Sequence, residues 1–159
     1  YIRTEGEEPH PHHPKKNHFI FTSMSCLFCK IVAKEIPCEM VFENEYVCAF
    51  LDIGPVSEGH TLIVPKIHAE NLSQGTEEES RELMAVVHML APKILKAIGA
   101  DGYNLGMNQG ECAGQEVMHT HLHIMPRKVG MMRTFTKLRP TKEELATSAQ
   151  KIRSTLESV

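Results

Sequence analysis

The sequence predicts an α+β fold: a five-stranded antiparallel sheet with one long helix and shorter helices. Short apolar runs are separated by turn signals, which is typical of strands that hairpins connect. One long segment instead repeats its apolar residues with the period of an amphipathic helix. The chain has 159 residues, 42% of them hydrophobic, which suits one domain with a substantial core. Strands grouped around one long helix indicate this fold class.

The first half of the chain predicts a short helix and three strands. Residues 27–35 have a mixed apolar pattern that predicts a helix ending before Pro37. Three apolar runs predict the strands: residues 41–43, 46–51 and 61–64. Asn44 and Glu45 join the first two runs as a hairpin turn, and Pro65 closes the third.

The second half predicts two helices and two further strands. Two capping boxes open the helices: Thr76 with Glu79, and Thr141 with Glu144. The first helix continues to Gly99 with a kink at Pro92, and the last runs to about residue 157. The remaining strands are residues 103–108 and 117–125.

The N-terminal segment differs from the rest in composition. Residues 1–23 are rich in proline and charge and have no apolar period, so we expect a tail, either native or leader-like. Its histidines are expected to be solvated rather than to bind metal. Residues 24–159 are then one domain, and Met24 is a candidate start of the folded unit.

Composition excludes several function classes. The formal net charge of −3 gives no support for nucleic-acid binding, and no apolar run approaches a membrane span. Neither a secretory signal nor an even cysteine count is present, so we expect a reducing, cytoplasmic compartment.

Three alternating histidines are the sharpest signal in the sequence. In a strand, His119, His121 and His123 would share one face, roughly 6.5 Å apart along the chain. The opposite face, residues 120, 122 and 124, would enter the core. A neutral, oriented imidazole is a nucleophile at neutral pH, and imidazole also binds metal. Both a nucleophilic site and a three-histidine metal site fit this row.

A cysteine pair indicates a second site. Cys26 and Cys29 have the spacing that lets two thiolates bind one zinc ion. A redox dithiol is the rival, but the βαβ context that it needs is missing from the predicted elements. The other two ligands would come from among several histidines: His60, His68, His88 and the alternating row.

Two weaker signals lie nearby. The loop of residues 110–115 is punctuated by glycine, and backbone amides in such loops cradle phosphate. Asp52 ends a strand, where a carboxylate can accept hydrogen bonds from a ribose diol.

In combination, these motifs resemble the histidine triad, or HIT, family. The resemblance rests on the histidine row and on ordered segments that extend from about Cys26 to Arg127: residues 26–31, 49–53, 59–68, 108–110 and 114–115. It implies a zinc-containing branch, a sheet joined to that of a second copy in a homodimer, and a small-molecule nucleotide substrate. The zinc would be structural, one per chain, because four protein ligands leave no open position for water.

The resemblance also implies a role for each site residue. His121 would attack the α-phosphate and form a nucleotidyl-histidine intermediate, and His123 and His60 would support it. Zinc would be held by four residues: Cys26, Cys29, His68 and His119. The substrate would be contacted by the remaining set: Phe28, Phe50, Asp52, Ile53, Asn108, Gly114, Gln115 and Glu116.

Glu116 departs from the pattern of family members that cleave purine-nucleoside phosphoramidates, which usually carry serine there. A carboxylate would repel an anionic leaving group or accept a hydrogen bond from an amine.

The resemblance as a whole implies a HIT-type hydrolase or nucleotidyl transferase. The alternatives are a non-enzymatic nucleotide-binding scaffold on the same fold and a metallohydrolase that uses all three histidines of the row.

Overall fold

The computed structural model describes residues 25–157 and confirms the predicted fold class. Its regular elements, in chain order, are α1 (Leu27–Val32), β1 (Met40–Glu43), β2 (Val47–Leu51), β3 (Thr61–Pro65), α2 (Glu77–Ile98), β4 (Gly102–Gly106), β5 (Leu122–Arg127) and α3 (Lys142–Glu157). Short 3-10 helices cover Leu72–Gln74 and Glu111–Ala113. The predicted tail, residues 1–23, lies outside the described residues, so the tail and the domain boundary stay predictions.

The central strand β2 is buried on both faces because helices cover each of them. In β2, Val47, Ala49 and Leu51 pack in the cluster that α2 and α3 complete. Cys48 and Phe50 alternate with them and pack against α1 on the other face. β2 therefore reads as a continuous apolar run rather than as an alternating one.

The strand order places one histidine beside α1. The order is β1-β2-β3-β5-β4, with every pair antiparallel. His123 in β5 pairs with Leu62 of β3 on one side and with Gly106 of β4 on the other. Because directly paired residues project to the same side, His123 lies on the α1 face with Leu62.

The long helix α2 begins and ends where the sequence predicts. Thr76 Oγ1 accepts from the amide of Glu79 at 3.1 Å, and Glu79 Oε2 accepts from the amide of Thr76 at 3.0 Å. Gly99 ends the helix in the left-handed conformation, with φ 70°. The helix continues through Pro92, so this proline does not end it. Within residues 25–157 no helix combines the length and the apolar character that crossing a membrane requires.

Several predicted boundaries are wrong, and two of them, the start of β5 and the end of β4, bear on the site. β5 begins at Leu122 rather than at residue 117, because the preceding segment bonds elsewhere: the Thr120 amide donates to the carbonyl of Ala69 at 2.8 Å. β4 ends at Gly106 rather than at Asn108, whose side-chain amide donates to a loop carbonyl instead. Only His123 of the three alternating histidines is therefore in the sheet.

One glycine allows the loop before β3 to approach α2. Gly59 has φ +81°, and a Cβ at this position would lie 2.7 Å from Cγ1 of Ile98. A larger residue would both strain the backbone and clash. This close approach positions the neighbouring residue, His60.

Candidate active site and metal centre

The four residues that the resemblance implies as zinc ligands form one compact cluster. Cys26 and Cys29 lie at the start of α1, where Cys26 Sγ caps the helix by accepting from the Cys29 amide at 3.4 Å. His68 follows β3, and His119 precedes β5. The structure thus brings the cysteine pair to two histidines from distant parts of the chain.

The distances within the cluster fit a tetrahedral ion. His68 Nδ1 and His119 Nδ1 are 3.2 Å apart, and the sulfur–nitrogen distances are 3.4, 3.4 and 3.5 Å. Zinc bonds of about 2.3 Å to sulfur and about 2.05 Å to nitrogen give tetrahedral edges of about 3.55 Å for S–N and about 3.35 Å for N–N. The donor atoms therefore surround a space of the size that zinc needs.

A backbone carbonyl fixes the ligand atom of His119. His119 Nε2 is 2.8 Å from the carbonyl oxygen of Pro65, which can only accept. The hydrogen is therefore on Nε2, and Nδ1 presents its lone pair to the cluster. This is the usual outer hydrogen bond of a metal-binding histidine.

A second carbonyl fixes the predicted nucleophile in the same way. His121 Nδ1 is 2.6 Å from the carbonyl oxygen of His119, so Nδ1 donates and Nε2 carries the lone pair. Burial lowers the pKa of His121, which keeps the ring neutral at neutral pH. The arrangement leaves an oriented nitrogen with a free lone pair, as a nucleophile would require.

The other two histidines form a hydrogen-bonded pair with defined hydrogens. The Val56 amide donates to His60 Nδ1 at 3.0 Å, so the hydrogen of His60 is on Nε2. His60 Nε2 in turn lies 2.8 Å from His123 Nδ1 and donates to it. His123 therefore carries its hydrogen on Nε2. Asp52 Oδ2 lies 3.7 Å from His60 Nε2 and adds a negative charge beside the pair.

Burial keeps this pair uncharged as well. It lowers the pKa of His60 and lowers that of His123 to about 4. A neutral His123 with a hydrogen on Nε2 is a donor suited to a phosphoryl oxygen.

The low pKa of His123 predicts a loss of stability in acid. Between the usual value of 6.5 and about 4, the unfolded chain binds a proton that the folded chain does not, so stability falls as pH drops through this range. At about pH 5 the penalty is about 1 kcal/mol after allowance for partial exposure.

Urea unfolding at about pH 7.5 and about pH 5 measures this penalty. The His123→Gln variant should lose about 1 kcal/mol less stability over the interval than the unsubstituted chain. Equal losses in the two proteins would contradict the role of His123.

The predicted nucleoside residues divide into buried and exposed positions. Phe28 and Phe50 are buried and meet edge to face, with ring centroids 5.5 Å apart. Phe28 also contacts the rings of His119 and His121. Ile53 is 80% exposed, so in this structure it lies at the surface and not within the buried aromatic pair. Asp52 Oδ1 accepts from the Gly54 amide at 2.9 Å.

The predicted phosphate loop is held by its own side chains. Gln115 is buried; both of its amide hydrogens go to carbonyls, of Glu70 and Val117, and its oxygen accepts from the Gly110 amide at 2.8 Å. We therefore expect Gln115 to shape the loop rather than to reach a phosphate. Asn108 Nδ2 donates to the Gly114 carbonyl at 3.3 Å and borders the same loop.

The structure separates the three histidines of the row. His119 is grouped with the cysteines and His123 with Asp52 and His60, while His121 belongs to neither group of candidate ligands within residues 25–157. A site with all three as ligands of one metal is therefore not formed. The second group is also unsuited to a metal, since the hydrogen on His60 Nε2 occupies the atom that would bind it.

The chain is similar to known proteins in both sequence and fold. A family model described as the HIT domain matches residues 33–130. The chain belongs to the HIT family. Over 104 residues it is 43% identical to an adenosine 5′-monophosphoramidase of Schizosaccharomyces pombe, covering 65% of this chain and 75% of that protein. It is 41% identical over 103 residues to an adenylylsulfatase of Arabidopsis thaliana, covering 65% of this chain and 52% of that protein.

A solved structure extends the likeness to the fold. A Zn-bound histidine triad family protein from Mycobacterium smegmatis superposes with a TM-score of 0.76 at 36% identity, covering 84% of this chain and 94% of that chain. The HIT-domain match includes Asp52, His60 and His123 but ends before Lys137.

Several groups that orient the site residues could not be identified from the sequence. The carbonyls of Pro65 and His119 and the amide of Val56 orient the imidazoles, and no sequence pattern marks a backbone group for this purpose. Lys137 pairs with Glu116 at 2.9 Å from a segment without a recognisable motif.

Proposed function

We propose that this chain is a nucleotide hydrolase or nucleotidyl transferase that attacks the α-phosphate of a nucleoside 5′-phosphoramidate or a related nucleotide. The observation that carries the proposal is the bond from His121 Nδ1 to the His119 carbonyl, which leaves Nε2 as a neutral nucleophile. The relatives named adenosine 5′-monophosphoramidase and adenylylsulfatase support nucleotide substrates of this class.

The first step transfers the nucleotidyl group to His121. The Nε2 lone pair forms a bond to phosphorus, and the bond to the leaving group breaks with its electron pair on that group. An amine leaving group takes a proton from water, whereas a sulfate or phosphate leaving group needs none. The hydrogen on His123 Nε2 stabilises negative charge on a phosphoryl oxygen, and Asp52 holds the ribose.

The second step releases the nucleotide. Water attacks phosphorus, the P–N bond breaks with its electron pair returning to His121 Nε2, and the surplus proton goes to solvent. An acceptor alcohol or phosphate in place of water would make the same chemistry a nucleotidyl transfer.

We also propose that Cys26, Cys29, His68 and His119 hold one structural zinc ion. The donor distances described above and the Zn-bound relative support this assignment. Zinc would tie α1 to the segment before β5 and act on the chemistry only through the position of His119. The homodimer and the cytoplasmic location also stay predictions; β4 is an edge strand of the described sheet and offers a place for a second copy to pair.

A substrate panel tests the proposed activity. The protein is incubated with adenosine phosphoramidate, adenosine phosphosulfate, a dinucleoside polyphosphate and a nucleotide sugar, and mass spectrometry follows the release of nucleoside monophosphate. Release from at least one of them is expected. Tight nucleotide binding with no release from any would instead favour the non-enzymatic scaffold.

A further inference from the structure

A bidentate ion pair joins the segment before His119 to the segment before α3, close to Asp52. Lys137 Nζ lies 2.9 Å from Oε2 and 3.1 Å from Oε1 of Glu116. We propose that Lys137 is a specificity-determining residue: by offsetting the Glu116 carboxylate, it lets the site accept anionic leaving groups as well as amines. This inference rests on the proposed nucleotidyl-transfer function and specifies its substrate class.

Lys137 is held in place independently of the ion pair. Its side-chain stem passes the 52–55 loop, where a Cβ on Gly54 would lie 3.4 Å from Lys137 Cδ. The next residue, Leu138, donates its amide to the carbonyl of Pro55 at 2.7 Å. Upstream, Arg127 donates to the Thr134 carbonyl at 2.8 Å. The backbone therefore keeps the ammonium group near the site even without Glu116.

Ring contacts give the site two ends. Phe28 contacts His121 with ring centroids 5.1 Å apart, on the apolar side that suits a base. His123 also contacts His121, at 5.0 Å, but its second ring neighbour is His60, whereas that of Phe28 is His119. A nucleotide with its nucleoside near Phe28 therefore directs its leaving group toward the His123 end.

Contacts of Lys137 place Glu116 near the His123 end. A Cβ on Gly54 would lie 3.4 Å from Lys137 Cδ and 3.8 Å from Asp52 Oδ1. Asp52 Oδ2 in turn lies 3.7 Å from Nε2 of His60, the partner of His123. The hydrogen bond from Lys137 also lowers the pKa of Glu116, so its carboxylate is charged. The side chains of Lys137 and Glu116 are 60% and 71% exposed, so a substrate can reach both.

The pair changes the charge that a leaving group meets. Glu116 alone would repel a departing sulfate or phosphate and favour an amine. With Lys137 the pair has no net charge, and its ammonium can donate to an anionic oxygen. The sequence pattern identifies only the Glu116 carboxylate, because Lys137 lies 21 positions away in the chain.

A ratio of kcat/KM values tests the proposal. The numerator is the value for adenosine phosphosulfate, and the denominator is the value for an adenosine phosphoramidate with an amine leaving group. Lys137→Met should lower this ratio about fivefold at low salt, and the effect should shrink at high salt because the charges are solvent-exposed. Lys137→Arg should restore the ratio. The double variant Glu116→Gln with Lys137→Met should bring it back toward the starting value, because both charges are gone.

Arg81→Met is the matched control, since Arg81 forms an exposed ion pair with Glu77 on α2 and its loss changes the net charge equally. Its ratio should not move. Turnover with an unchanged ratio in Lys137→Met would overturn the inference alone, and so would an equal fall in Arg81→Met. Absence of turnover of both substrates by the unsubstituted protein would instead contradict the proposed function and the inference together.

Discussion

Replacing His121 by alanine is expected to reduce turnover by at least about a thousandfold while the fold and the metal centre persist. The reason is that His121 Nε2 forms the bond to phosphorus in the proposed mechanism, and the neighbouring imidazoles within residues 25–157 present no lone pair there. His60 and His123 both carry their hydrogens on Nε2. Loss of a covalent nucleophile typically removes most of the rate enhancement of an enzyme.

Steady-state rates together with trapping measure this effect. Brief incubation with substrate, followed by a quench in base, should reveal a nucleotide-labelled protein by mass spectrometry, because a P–N bond to histidine survives base better than acid. The label should be absent from His121→Ala. Zinc content and melting temperature should stay close to those of the unsubstituted protein, since His121 is not among the four clustered ligands.

His123→Ala is the matched control for the loss of an imidazole. It removes a hydrogen-bond donor rather than the nucleophile, so we expect a fall of about tenfold to a hundredfold and an intermediate that still forms. Turnover in His121→Ala at a level near that of the control, or a label that persists there, would show that another group attacks phosphorus.

The predicted elements that the structure confirms depend on local signals. The capping box of α2 and the glycine that ends the helix are interactions between residues close in sequence, and both were predictable. The start of β5 was not, because it depends on a partner 51 positions away: the Ala69 carbonyl accepts from Thr120 and diverts the chain from the sheet. Tertiary hydrogen bonds decided that boundary against the alternating pattern.

In the predicted site, too, local sequence signals were predictable and long-range hydrogen bonds were not. The alternating pattern indicated that three histidines share a face, and the opposite residues Thr120, Leu122 and Ile124 are indeed buried. Alternation alone could not assign different tasks to the three rings, because the tasks depend on which nitrogen each ring offers. Carbonyls and an amide from distant segments make that choice.

One residue links the proposed metal centre to the proposed nucleophile. His119 places its Nδ1 in the cysteine–histidine cluster, and its own carbonyl oxygen accepts from His121 Nδ1 at 2.6 Å. Any shift of His119 therefore moves the hydrogen bond that orients Nε2 of His121. A metal without an open coordination position can thus affect the rate through orientation alone.

Replacing Cys29 by serine is expected to abolish stoichiometric zinc and to lower both stability and turnover. Cys29 is 1% exposed, and its sulfur lies 3.4 Å from His68 Nδ1 and 3.5 Å from His119 Nδ1. A serine hydroxyl is a poor zinc ligand, so the folding free energy that metal binding contributes would be lost. We expect a loss of at least about 3 kcal/mol, or a melting temperature lower by roughly 10 °C.

The catalytic part of this prediction separates orientation from simple unfolding. At a temperature where the variant remains folded, kcat should fall about tenfold to a hundredfold because His119 no longer fixes the His121 ring. Cys112→Ser is the matched control for metal content and melting, since Cys112 is exposed and outside the cluster; both values should be retained. Full zinc content in Cys29→Ser would contradict the ligand assignment. Zinc loss with unchanged kcat would instead show that the His119 carbonyl is held by the backbone alone, and the metal would then serve stability without orienting the nucleophile.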